Sequence, residues 1–198
     1  MIDRVSDCYC SCYCISVVDH VSIYISISIK EYLNSNDYFS GILREISDDY
    51  NIDIINNGLI DVIASSVYSG NINNVLKNDD SYWWSKNEKN SWIQFDFKTR
   101  SISLKSYSLR SYAGPKSWKI EGSNDMNTFT LIDQRNNPND FKHCQYVNQH
   151  YNVNGSQDQF RYIRITQGDE GSVDNDHYFY LNRVEFYGSL YETVTNTK

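Results

Sequence analysis

A chain of 198 residues, 40% of them hydrophobic, has material for one well-cored domain and a small flanking piece. Its net charge of −7 and its lack of any Lys/Arg run exclude a general phosphate-binding surface, so nucleic acid is not an expected partner. No apolar stretch reaches the roughly 18 residues that a membrane-spanning helix needs.

Residues 1–35 differ in character from the rest. CYCSCYC sets Cys8, Cys10, Cys12 and Cys14 at period two, and VSIYISISI alternates Val21, Ile23, Ile25, Ile27 and Ile29 with Ser and Tyr. Period two is the pattern of a strand. An extended chain points the four thiols the same way in steps of about 7 Å, whereas a structural zinc needs ligands that curl around it. A low-complexity leader outside the domain is therefore the expectation, with the uncharged VSIYISISI an aggregation hazard if uncovered. Asp3 and Asp7 beside Arg4 do not make the cationic start of a secretory signal. The sequon Asn154-Gly155-Ser156 carries little weight in so Asn-rich a chain.

Residues 36–57 change period. Phe39, Ile42, Leu43 and Ile46 make one apolar helical stripe, with Asn36 or Asp37 placed to cap its start, and Asn56-Asn57-Gly58 breaks the chain. From residue 59 onward, strand patterns alternate with turn residues. Strands are expected over 59–64, 92–97, 102–112, 117–122, 129–134, 143–148, 159–167 and 178–187. Gly114-Pro115, Asn124-Asp125 and Asn136-Asn137-Pro138 are among the breaks between them. Nothing offers the strand–helix alternation of an α/β enzyme. The fold class is all-β, an antiparallel sandwich or barrel preceded by a short helix.

Within this region four pieces occur in a telling order: NVLKNDDSYWWS (74–85) with SWIQFDF (91–97), SYSLRSYAGPKSWKIEGSNDMNTFTLID (106–133), FRYIRITQG (160–168) and YLNRVEFYG (180–188). Together they resemble the discoidin, or coagulation factor 5/8 type C, domain of the galactose-binding-like superfamily. That family's pattern runs W-I-x-x-D-L, then W-x-x-x-x-S-x-D, then R-Y-x-R-I, then E-x-x-x-G. The resemblance spans about 58–190 and leaves 191–198 as a tail. It implies an eight-stranded jelly-roll sandwich whose loops at one end contact ligand.

It also bears on the tryptophans. Trp83 stands where the family buries an aromatic, so by strand parity Trp84 points outward. In WIQFDF both alternating sets, Trp92/Gln94/Asp96 and Ile93/Phe95/Phe97, are partly apolar. That strand is expected to be covered on both faces, with Trp92 part of the core.

Other residues divide between structural and functional roles. Asn124 and Asp125 suit an Asx-turn. Arg161 needs a carboxylate, Asp96 or Glu185, while Arg164 points the other way; a structural role is the expectation for both, with ligand contact at Arg164 the alternative. Some carbohydrate-binding relatives hold a structural calcium between the first turn and the final glutamate. Here Lys77 stands in place of the leading Asp, and its ammonium is expected to take the cation's position and bridge to Glu185. No metal and no cofactor are expected, with calcium on Asp79, Asp80 and Glu185 the weaker alternative.

His20, His143, His150 and His177 belong to no catalytic cluster, and Cys144 falls inside an expected strand as a small buried hydrophobe. The chain is thus expected not to be an enzyme. The resemblance implies a clamp of cysteines at the two domain ends in extracellular members. No Cys lies near residue 56 or 189, which points to a cytoplasmic setting.

The ligand face expected from the resemblance uses loops 66–74, 110–117 and 168–178, with Tyr68, Arg110, Tyr112, Lys116, His177 and Tyr178 as contact residues. The first functional expectation is a non-catalytic intracellular adaptor that binds a protein or peptide. The alternatives are a lectin-like module for a galactose-type glycan, and an accessory domain of an enzyme whose catalytic part lies elsewhere.

Overall fold

Alternation along WIQFDF puts Ile93, Phe95 and Phe97 on an inner face, where all three are fully buried. The computed structural model describes residues 8–18, 21–33, 37–49, 58–154 and 158–197, with side chains over 27–33, 37–46, 58–154 and 158–193. The sequon, the linker 50–57 and the side chains of Cys8 to Cys14 lie wholly or partly outside the described residues. The outer face of WIQFDF is covered too. The Arg164 guanidinium lies 4.4 Å from the Trp92 ring centre and 3.9 Å from that of Phe129, and donates to Gln94 Oε1 at 2.7 and 3.0 Å. Coverage on both faces is as expected, but Trp92 is half-buried on the outer one and does not join the core. Arg164 is held between rings and an amide, the structural role expected for it, and the ligand-contact alternative falls away.

The strands in chain order are β1 (Cys8–Val18), β2 (Val21–Tyr32), β3 (Asp61–Ala64), β4 (Ser69–Gly70), β5 (Trp83–Trp84), β6 (Trp92–Asp96), β7 (Arg100–Ser111), β8 (Ser117–Ser123), β9 (Thr130–Asn136), β10 (Val147–Asn152), β11 (Tyr162–Gln167), β12 (Tyr180–Leu181) and β13 (Arg183–Thr197). Helix α1 (Ile42–Asp49) precedes β3, and a 3-10 turn spans Ile72–Leu76. Two five-stranded sheets, β1-β2-β13-β7-β10 and β3-β6-β11-β8-β9, form the sandwich, and β12-β5-β4 makes a small third sheet. The chain is therefore all-β and antiparallel. Once β1 and β2 are set aside, the two large sheets hold the eight strands of the expected jelly roll.

The two sheets meet through aromatic packing and a few satisfied polar groups. Phe95 on β6 meets Phe186 on β13 edge-on at 5.1 Å. Trp118 Nε1 on β8 donates to the Tyr107 hydroxyl on β7 at 2.8 Å, and that hydroxyl donates to Asp133 on β9 at 2.7 Å. Burial, with the Asp133 carboxylate beside it, pushes the Tyr107 hydroxyl's ionisation well above its usual range, so it serves as a donor. Arg161 clasps Asp96 with two hydrogen bonds of 2.7 and 2.9 Å, one of the two pairings expected for it. In the expected Asx-turn, Asp125 Oδ1 accepts the amides of Asn127 and Thr128 at 2.8 Å, and these bonds hold its carboxyl at about 2.

Several elements differ from expectation. The expected leader forms the strands its period-two pattern indicates, but they pair onto the sandwich rather than lying outside it: β2 pairs with β13 from Ile23↔Thr197 to Tyr32↔Gly188, β1 pairs with β2, and Tyr32 lies in the core. The strand expected at 143–148 begins at Val147, because Lys142 and Gln145 bridge across a turn. Cys144 sits in that turn and is exposed, so it is not a buried hydrophobe. Among the described residues no helix is long and apolar enough to cross a membrane.

Helix α1 buries Ile42, Leu43 and Ile46, with Phe39 buried just ahead of it. Asn36, one of the two expected caps, lies outside the described residues. Asp37 accepts the Phe39 amide at 2.9 Å, before the helix begins. The first-turn amides donate instead to Glu185 on β13, Leu43 N to Oε1 at 2.7 Å and Arg44 N to Oε2 at 3.1 Å, and Phe186 N adds a third bond at 2.9 Å. The helix can come this close only because residue 41 is glycine: a Cβ there would stand 2.3 Å from the Phe186 carbonyl oxygen. Burial pushes the Glu185 carboxyl up to about 7, against the pull of these amides.

Two outcomes follow. Trp83→Ala should cost about 3–5 kcal/mol in urea denaturation, the range for deleting a large buried aromatic, with Trp84→Ala and Trp92→Ala each well below it. Glu185 binds its proton more tightly in the folded chain than in the unfolded one. Between about pH 4.5 and pH 7 the folded state therefore holds more protons, and this group's contribution to stability falls as pH rises through that window. Glu185→Gln, which cannot titrate, should be destabilised by about 1–3 kcal/mol through a mismatched amide. The difference in unfolding free energy between wild type and variant should shrink from pH 4.5 to pH 7.5.

Candidate ligand-binding site

The site is built from the parity of β5. Trp83 points inward and is fully buried, edge-on to Phe179 at 5.6 Å, with its Nε1–H donating to the Ser66 carbonyl at 3.1 Å. Its neighbour Trp84 must then point outward. Trp84 lies opposite Tyr180 on β12 and Ser69 on β4, while Trp83 lies opposite Leu181 and Gly70. Gly70 has φ 76°, and a Cβ there would meet the Tyr82 carbonyl oxygen at 2.1 Å, so β4 accepts no side chain at this crossing.

Around Trp84 the outward rings form one connected surface. Tyr68, Tyr178 and Tyr180 surround it at 5.4, 4.9 and 5.5 Å, and Tyr68 and Tyr178 touch each other at 5.3 Å. Tyr82 stacks on Tyr180 at 5.1 Å, and Tyr180 leads through Tyr112 at 6.1 Å to Tyr146. Tyr180 is the buried floor, whereas Tyr68 is 60% and Tyr146 42% exposed. Burial pushes the Tyr180 hydroxyl up to about 12, so it stays a neutral donor and acceptor.

Polar groups edge the rings. The Arg110 guanidinium lies 4.9 Å from the Tyr146 ring centre and pairs through Nη2 with the exposed Asp80 at 2.6 Å. Two nitrogens here are shielded from solvent and lack a hydrogen-bond partner, Trp84 Nε1 and Arg110 Nε. A buried polar atom without a partner costs about 1–3 kcal/mol, whereas the exposed rings and the Arg110–Asp80 pair remain open to a ligand rich in hydroxyl groups.

The expected contact residues fall as follows. Tyr68, Arg110, Tyr112 and Tyr178 are all part of this surface. Lys116 is not; it donates to Asn175 Oδ1 at 2.6 Å in the neighbouring loop. His177 borders the surface, with its amide donating to Asn87 Oδ1 at 2.8 Å. The loops themselves come together, since Lys116 N donates to the Gly171 carbonyl at 2.9 Å and Val173 N to that of Gly114 at 3.1 Å. Tyr82, Tyr180 and Tyr146, together with Asp80 as partner of Arg110, were missed. The signal was present in Tyr82-Trp83-Trp84 and Tyr178-Phe179-Tyr180, where the outer members are two residues apart and flank an inward ring.

The carboxylates considered for calcium do not converge. Asp79 Oδ1 accepts the Ser81 amide at 2.8 Å, Asp80 is paired with Arg110, and Glu185 is filled by amides. Lys77 is exposed while Glu185 is fully buried, so the expected bridge between them is not formed. These residues do not fit a calcium ion, which takes six to eight oxygens around one point.

Comparison with known proteins agrees with the fold. Solved structures that share it include CpGH89CBM32-5 from Clostridium perfringens in complex with GalNAc-β-1,3-galactose, 12% identical, covering 66% of this chain and 96% of that one with a TM-score of 0.52. The CBM32 of AlyQ in complex with 4,5-unsaturated mannuronic acid is 17% identical, over 64% of this chain and 93% of that one, with a TM-score of 0.51. CBM32-3 from a family 31 glycoside hydrolase of Clostridium perfringens is 19% identical, over 66% and 92%, with a TM-score of 0.50. No curated protein matches the sequence. The F5/8 type C domain matches residues 61–186, most of the chain and nearly all of the sandwich. The chain belongs to the F5/8 type C domain family.

Proposed function

We propose that this chain is a carbohydrate-binding module that takes a neutral, galactose-type pyranose on the surface around Trp84. The observation that carries the proposal is the joining of exposed aromatic rings to the partly exposed Arg110–Asp80 pair beside them. A pyranose has an apolar C–H face and a rim of hydroxyls. The first lies on the rings of Tyr68 and Trp84, and the second meets the Arg110–Asp80 pair, its hydroxyls donating to Asp80. Because Asp80 balances the Arg110 charge, a neutral sugar fits better than an acidic one. The GalNAc-β-1,3-galactose and mannuronic acid complexes of similarly folded domains support a glycan over a peptide as the ligand class. The adaptor expectation takes second place, because the exposed rings are tyrosines edged by donors rather than an aliphatic patch.

Titration of galactose and of GalNAc-β-1,3-galactose by calorimetry should give saturable binding to at least one. Tyr68→Ala and Trp84→Ala should each weaken it about tenfold or more, equivalent to about 1.4 kcal/mol, in chains that remain folded. Arg110→Ala should weaken it as well, whereas Lys116→Ala should leave it unchanged. A folded wild-type chain that binds neither sugar nor any neutral glycan on an array, yet captures a peptide through the same tyrosines, would favour the adaptor instead.

A further inference from the structure

The bridge between Lys142 and Gln145 closes a tight turn whose two central residues are His143 and Cys144. Cys144 is exposed and has a left-handed backbone, φ 53°. Its Sγ lies 3.0 Å from His143 Nε2, and His143 Nδ1 is hydrogen-bonded to Asp174 in the loop after β11. Asp174 is fixed in turn, its amide donating at 3.0 Å to the hydroxyl of the buried Ser172. An ionised carboxylate only accepts, so the imidazole proton resides on Nδ1 and the Nε2 lone pair faces the thiol. The turn is tied to the end of β7, where Gln145 N donates to the Tyr112 carbonyl at 3.2 Å. The three groups run in line through the two nitrogens of one ring. That is the order of nucleophile, base and orienting acid rather than a cage around a metal.

We propose that Cys144 is a nucleophilic thiol, with His143 as its base and Asp174 as the positioning carboxylate, that exchanges with disulfides of small thiols. In that step the Sγ proton passes to His143 Nε2, and the thiolate attacks one sulfur of R–S–S–R. The S–S bond breaks as the Cys144–S–S–R bond forms, and the departing RS⁻ takes the proton from His143. Cys144 is oxidised to a mixed disulfide, and the second sulfur leaves reduced as RSH. The exposed turn decides the electrophile class: a small soluble disulfide can approach the sulfur in line from solvent, and its leaving group needs only the one proton that His143 holds. The site adjoins the aromatic surface at Tyr112 and Tyr146, but the inference does not depend on sugar binding there.

The test is the rate at which glutathione disulfide modifies the full chain at neutral pH, read by mass spectrometry on the tryptic fragment 143–161, where Cys144 is the only thiol. The reference is a synthetic peptide of those residues, which keeps His143 beside Cys144 but lacks Asp174. The folded chain should react about tenfold faster or more than the peptide. His143→Gln should bring the rate down to the peptide's, Asp174→Asn should lower it several-fold, and Asp174→Glu should restore much of it. Equal rates for the wild-type chain and the peptide would overturn the proposal without recourse to any variant. An unchanged rate in His143→Gln would overturn it equally.

Discussion

The indole of Trp83, sealed in the core with its N–H on the Ser66 carbonyl, decides which way β5 faces. A two-residue strand has little pairing energy of its own, so its orientation rests on the side chain it buries. With Trp83 held against Phe179, Trp84 is forced outward, and strand pairing brings Tyr180 and Ser69 beside it. The aromatic surface is thus a by-product of core packing. Its rings are positioned by strands with few freely rotating bonds, which favours a ligand that must be met by a preformed face.

Buried polar groups pin the remaining elements. Glu185 is the clearest case: a single carboxylate on β13 receives amides of α1 and of its own strand, and Gly41 lets the helix come close enough to be reached. The cost of burying that charge is visible in its raised carboxyl, so the docking of α1 is a balance between desolvation and hydrogen bonding. Tyr107 plays a related part across the sandwich. It joins Trp118 to Asp133 and fixes how β7, β8 and β9 lie against each other.

Alternation made the sandwich legible, because Ile93, Phe95 and Phe97, or Ile163 and Ile165, can be assigned to the core from period two alone. The Arg161–Asp96 pair and the Asp125 turn were legible for the same local or charge-matching reasons. Trp92 was not, because its outer face is covered by Arg164, a residue distant in sequence. The cap of α1 was missed because Asp37 is the better local candidate, and nothing near the helix shows that Glu185 arrives from β13. Half of the candidate site was readable from its loops. The rest sat in two aromatic triplets whose inward members drew attention away from the outward ones. Cys144 was misassigned because apolar and polar residues alternate around it. The anchor that turns the chain is Phe141, buried against Gly114 just before the turn.

The pairing of β2 with β13 has a consequence for the order in which the chain emerges from the ribosome. Val21–Tyr32 is made before β3, and its partner Arg183–Thr197 comes after every other strand of both large sheets. At roughly 5–20 residues per second, the β1–β2 hairpin must wait on the order of ten seconds or more with one edge unpaired. Its VSIYISISI run, uncharged and alternating, is the kind that pairs with whatever strand is nearest. Nascent chains on one message therefore compete with β13 for that edge. Slowing translation or crowding ribosomes should lower the yield of soluble protein more through this strand than through any loop of the sandwich.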